Sequence, residues 1–179
     1  MRPSTNIMPA RRAIRLLLLA LAASCGDSVA PLPGSGPPDA LEFSYGGYGT
    51  ASVSLQRDGG TIVYTRTEWG GRAPAQVIGS IPSDEQWRAF WRSLDEAGVT
   101  RWRREYMAEG IADGMGWHLR IRVNGRTIES QGSNAYPDRQ GREHEGDTTA
   151  EWNAMANAML GLVGQRLLVV NGEGGGTRD

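Results

Sequence analysis

Trp117-His118-Leu119-Arg120-Ile121-Arg122-Val123-Asn124-Gly125-Arg126-Thr127-Ile128-Glu129-Ser130-Gln131 is the stretch that decides the fold. Apolar and polar residues alternate through its first half. Trp117, Leu119, Ile121 and Val123 face one way and His118, Arg120 and Arg122 the other, the period of a strand with one buried face. Asn124-Gly125 supplies the positive φ that a two-residue turn demands, so the chain returns as a second strand. Such a turn sets Ile121 against Ile128, Arg120 against Glu129 and His118 opposite Gln131. Upstream, Ser52–Arg57 and Thr61–Thr65 flank Asp58-Gly59-Gly60 and read as another hairpin.

Each hairpin is followed by a helix. Ser83 caps the first, with Gln86 three residues on to close a capping box. Trp87, Phe90, Trp91 and Leu94 then share one face, and Gly98 ends the helix. Thr148 is expected to cap the second, with Glu151 three residues on. Trp152, Met155, Ala156, Met159 and Val163 line its apolar face, and Gly164 stops it. The expected fold is α+β: a twisted antiparallel sheet of five to six strands with two helices packed on one face. Leu41–Tyr45 and Gln165–Val170 are expected as edge strands. Thr61 precedes Trp87 by 26 residues and Thr127 precedes Trp152 by 25, which suggests a tandem ββα repeat.

The N-terminus reads as an export signal. Arg2, Arg11, Arg12 and Arg15 precede Leu16-Leu17-Leu18-Leu19-Ala20-Leu21-Ala22-Ala23, and then come Ser24 and Cys25. A basic start, a short apolar run and small residues before a cut site define a secretory signal. The run is too short to span a bilayer, which takes about 20 residues. Leu21-Ala22-Ala23-Ser24-Cys25 looks like a bacterial lipobox, so residues 1–24 are expected to be removed and Cys25 lipidated. The Pro- and Gly-rich residues that follow, up to 40, read as a spacer with ends about 20 Å apart as a coil. Residues 41–170 form one domain, and the Gly-rich 171–179 reads as a disordered tail. The location implied is the cell envelope. Asp27 stands one place after the position where Asp favours the inner membrane, so the outer membrane is favoured if the cell has one.

Composition narrows the partners. Cys25 is the single cysteine, so no disulfide can form within the chain. The chain carries 19 basic residues, all Arg, against 20 acidic ones. Four of those Arg precede Cys25, so the mature chain has a net charge of −5. A mildly acidic domain lacks the basic stripe that nucleic acid needs.

Gly132-Ser133-Asn134-Ala135-Tyr136-Pro137 follows the decisive hairpin. Together with Trp102, Tyr106, Asp113-Gly114 and Trp117, it resembles a family of uncharacterised bacterial lipoproteins, a domain of unknown function with a W…Y…DG…W…GSNAYP pattern. The resemblance covers roughly residues 41–165 and implies no known activity. This chain departs from the pattern by the polar stretch Asp138 to Asp147 before the last helix.

Candidate contact residues are few. Asn134 and Tyr136 lie in an irregular segment after a strand, where binding residues often sit. As a turn, the same segment is simply an anchor. Trp117 is inward by periodicity, and His118 projects from the polar face beside it. Trp69, between Glu68 and Gly70-Gly71, is an indole on a loop that can meet a partner or glycan. No Gly-x-Ser-x-Gly elbow, Ser-x-x-Lys or phosphate-cradling glycine loop is present, and no cofactor is implied. The reading favoured is a membrane-tethered, non-catalytic envelope module that binds another envelope protein or a glycan. Its rival is a hydrolase that uses His118 with Ser133, or a metal near His144.

Overall fold

The computed structural model describes residues 32–167 apart from 72 and 112. The expected export signal, Cys25, Leu168–Val170 and the expected tail lie outside the described residues. Nine strands and two helices follow in chain order: β1 (Ala40–Gly47), β2 (Ser52–Asp58), β3 (Thr61–Thr67), β4 (Gln76–Ser80), α1 (Asp84–Ala97), β5 (Glu105–Met107), β6 (Met115–Val123), β7 (Arg126–Ser133), β8 (Ala135–Pro137), β9 (Glu143–Glu145) and α2 (Ala150–Gly161). The architecture is α+β, with a seven-stranded sheet in the order β4-β3-β2-β1-β6-β7-β5 and a separate β8–β9 ribbon. Every pairing is antiparallel except β5 with β7.

The decisive hairpin has the register its turn dictates. Ile121 pairs with Ile128, Arg120 with Glu129 and His118 with Gln131. Asn124 and Gly125 have φ of 51° and 74°, the turn that suits right-twisted strands. In the first hairpin Asp58 pairs with Thr61, so the turn is only Gly59-Gly60. Leu41–Tyr45 is not an edge strand. It forms the centre of the sheet as β1, between β2 and β6, because Leu41, Phe43 and Tyr45 all turn toward the core. The edges are β4 and the three-residue β5. Gln165 to Leu167, expected to start an edge strand, form no strand; Leu167 N–H instead donates to Asn157 Oδ1 on α2 at 2.9 Å.

Both helices complete one core. Ser83 caps α1 with the capping box in place, and Gly98 closes it at φ 72°. Trp87, Phe90, Trp91 and Leu94 are buried, as their spacing requires. The second cap is one residue later than expected: Thr149, not Thr148, accepts from Trp152 N–H. The Thr149 hydroxyl also donates to Pro137 O, which ties the helix start to β8 and decides between the two threonines. Thr148 Oγ1 accepts from the Asn153 side chain instead. Val163 is buried but lies past the helix end at Gly161. Trp152 reaches the sheet, edge-on to Tyr45, Trp117 and Tyr136. The two hairpins flank β1, yet β4 follows one and the β8–β9 ribbon follows the other before the helices.

Part of the expected spacer belongs to the domain. Leu32 packs against the core, Pro38 is buried, and Gly36 O accepts the Trp91 indole N–H at 2.7 Å. Arg57 donates to Asp39 O at 3.1 Å. Among the described residues no helix is long and apolar enough to cross a membrane.

Candidate functional site

With both helices on one face, the other face of the sheet is open. Residues on alternate positions of successive strands line up across it. One row runs Thr65 (β3), Ser54 (β2), Ser44 (β1), His118 (β6), Gln131 (β7) and Glu105 (β5), each directly paired with the next. A parallel row, Gln56, Glu42, Arg120 and Glu129, has its charges paired: Arg120 lies 3.7 Å from Glu42, and Glu129 takes Arg104, from outside the row, at 2.8 Å. On the opposite side of the polar row, β1 and β6 place Gly46 against Gly116, leaving the floor without side chains. The result is a shallow trough of about 580 Å³, walled by Thr65 and Thr67 at one end and by Glu105 and Met107 at the other.

An exposed aromatic pair stands beside it. Tyr48, in the β1–β2 turn, and Trp69, in the short 3-10 turn Trp69–Gly71, meet edge to face with ring centroids 4.7 Å apart. They are 69% and 44% exposed. Tyr48 lies two residues along the chain from Gly46 and Trp69 two residues from Thr67, both of which line the trough. Tyr48 carried no signal in the sequence, because nothing local says that its turn lies next to the loop of Trp69.

The other expected contact residues build the frame instead. Trp117 is 4% exposed on the inner face, and its indole N–H donates to Ala135 O at 2.9 Å. The indole lies over Gly132, where a Cβ would collide with it. Asn134 has φ 50° and accepts Met115 N–H on Oδ1 at 2.8 Å; its side chain fills the space a Cβ on Gly114 would need. Tyr136 is buried against Trp152, and burial pushes its phenol above the ordinary tyrosine value. Trp102 Nε1 donates to Asp138 O and the Tyr106 hydroxyl to Gly141 O. The residues of the W…Y…DG…W…GSNAYP pattern thus brace one another around the β8–β9 ribbon. They form a folding knot that also underlies the trough, since Trp117 and Gly132 are among its lining residues although Trp117 is only 4% exposed.

Asp138 to Asp147, the stretch outside that pattern, is ordered by the same knot. Asp138 accepts from Gln140 N–H, Arg142 N–H and Arg142 Nε, and its Oδ2 lies 3.1 Å from His144 Nε2. Burial alone would raise this carboxyl. The hydrogen bonds from His144, Arg142 and Gln140 outweigh it and hold the group well below the usual carboxylate range. His144 therefore has a protein partner, and among the described residues no three His, Cys, Asp or Glu side chains converge as a metal site would require.

His118 and Ser133 do share the open face. Ser133 pairs with Gly116, not His118, so the two are diagonal neighbours with Cβ atoms about 7–8 Å apart in ordinary sheet geometry. Ser44 is closer, directly across from His118 on β1. Glu129 Oε1 lies 4.0 Å from His118 Nε2. A serine, a histidine and an acid are adjacent here, but the strand N–H groups around them are engaged in the ladders. The arrangement is suited to hydrogen bonding a ligand.

These features define an α+β sheet protein with an open hydroxyl-lined face and an aromatic pair at its border. No protein-family model, curated protein or solved structure matches the chain.

Proposed function

We propose that this chain is a membrane-tethered envelope lipoprotein whose domain is a non-catalytic binding module, with the trough on the open face as its binding surface. The observation that carries the reading is the polar row from Thr65 to Glu105 lying next to exposed Tyr48 and Trp69. Large exposed aromatics beside a wetted concavity are costly to leave without a contact, and such groupings mark interaction sites. The tether rests on Leu21-Ala22-Ala23-Ser24-Cys25 after a basic and apolar leader. By this reading fatty chains on the Cys25 sulfur hold the domain at a membrane, the outer one in a cell that has two.

The test has two arms. Intact mass of the native protein should show cleavage before Cys25 and added acyl chains; a chain that retains Met1 overturns the tether. In the second arm, envelope extract is passed over the native protein and over Ser54→Tyr, whose ring would fill the trough. Material retained by the first and released by the second supports the surface. Equal retention by both proteins places binding elsewhere and overturns it.

A further inference from the structure

We infer that the trough takes an uncharged oligosaccharide chain, with one aromatic ring of the edge-to-face Tyr48–Trp69 pair stacking on a sugar ring. This rests on the binding-module reading and names its ligand class. Hydroxyls are the commonest polar side chains in the lining: Ser44, Ser52, Ser54, Thr65 and Thr67. Each is both donor and acceptor and rotates to suit its partner. A ligand that is itself covered in hydroxyls meets such a surface without leaving donors or acceptors unpaired. Gln131 and His118, in the same row, add an amide and an imidazole.

Charge argues in the same direction. Among the residues lining the trough, Glu105 is the single Asp, Glu, Lys or Arg. The charges of the neighbouring row are paired through Glu42–Arg120 and, with Arg104 from outside the row, Glu129–Arg104. A phosphate-, sulfate- or carboxylate-bearing ligand would find no free cation along the row and would meet Glu105 at its end. A cationic peptide would gain only that one partner.

The aromatic pair supplies what hydroxyls cannot. A pyranose ring is amphipathic, with C–H groups on its faces and hydroxyls at its rim. An aromatic face packs on the C–H face, while the rim remains free to hydrogen-bond. The shape fits a chain better than a small molecule. The row spans five strand-to-strand steps, about 24 Å at the usual spacing, and is open along its length. Small-molecule sites enclose most of their ligand, whereas this one is shallow enough to hold several consecutive sugars side-on.

Calorimetric titration of the full chain in detergent tests this with defined probes: neutral hexasaccharides of glucose and of N-acetylglucosamine, an oligogalacturonide as the anionic control, and a Ser/Thr-rich decapeptide. At least one neutral hexasaccharide should bind, weakened about 10-fold or more by Trp69→Ala, as expected for an aromatic anchor. Ser54→Tyr should abolish that binding, Gln131→Ala should weaken it, and all three variants should unfold at the native denaturant midpoint. If only the anionic sugar or the peptide binds, and Ser54→Tyr blocks it, the trough is a binding surface but the ligand class is wrong. If none of the probes binds, the inference on ligand class falls, and retention of envelope material in the Ser54→Tyr comparison then decides separately whether the surface reading falls with it.

Discussion

Asn134 holds a left-handed φ of 50° and accepts Met115 N–H, while its own N–H donates to Met115 O at 2.9 Å. Asn tolerates that backbone region better than most residues, and here the side chain also satisfies a backbone donor. Asn134→Ala should therefore destabilise by about 1–3 kcal/mol, since it strains the backbone and orphans the Met115 donor. Asn134→Gly should cost less, because it loses only the hydrogen bond; urea unfolding of the two variants checks the order. Asp138 makes a second prediction at this scale. Its carboxyl has a depressed pKa in the fold, and about 3.9 in the unfolded chain. Between those values the unfolded state binds more protons, so stability falls as pH falls; above the unfolded value the contribution is complete and constant. Asp138→Asn should be less stable than the native protein at neutral pH. It should also lose less further stability between about pH 5 and 3, and melts across that range would show parallel curves if Asp138 were not responsible.

Local signals define the elements well. The Asn124-Gly125 turn fixes the register of β6 and β7, and the Ser83–Gln86 box fixes the start of α1. Ser83→Ala should destabilise by about 1 kcal/mol in thermal or urea unfolding. Gly98→Ala should cost more than Ser83→Ala, because Gly98 needs φ 72° and a Cβ there would collide with Arg139 O. Equal losses would mean that the loop of Arg139 yields freely. What the sequence does not carry is the long-range pairing. β1 is read as an edge because nothing near Leu41–Tyr45 announces that residues 40–47 will meet 115–122. The cap of α2 slips by one residue for the same reason: Thr148 and Thr149 are equal locally, and contact with Pro137 on β8 selects between them. The candidate site divides in the same way. His118 opposite Gln131 follows from one hairpin turn. Ser44, Ser54, Thr65 and Glu105 join that row only through β1 and β5, which no turn motif connects to it.

At the scale of the whole molecule, the reach of the domain from a membrane depends on where its folded part begins. By composition, residues 25–40 are all spacer, with about 20 Å between their ends as a coil. The fold takes back half of that length. Leu32 and Pro38 pack against it, Gly36 accepts from Trp91, and Asp39 accepts from Arg57. Under the lipid anchor proposed above, the tether would be the stretch from Cys25 to Leu32, whose ends would lie about 15 Å apart if it were a coil and at most about 25 Å apart. A lipid on Cys25 would thus hold the trough within a domain's width of the bilayer, where a ligand chain must come close to the membrane to be reached. The prediction is a difference between two truncations. A chain begun at Leu32 should unfold with the midpoint of the full chain. One begun at Ala40 should lose about 1 kcal/mol for the Trp91 hydrogen bond, and more for the uncovered apolar surface. In the longer chain, Trp91→Phe isolates the hydrogen-bond share. If the chain begun at Ala40 is as stable as the one begun at Leu32, residues 32–39 are spacer after all, and the trough stands further from its anchor.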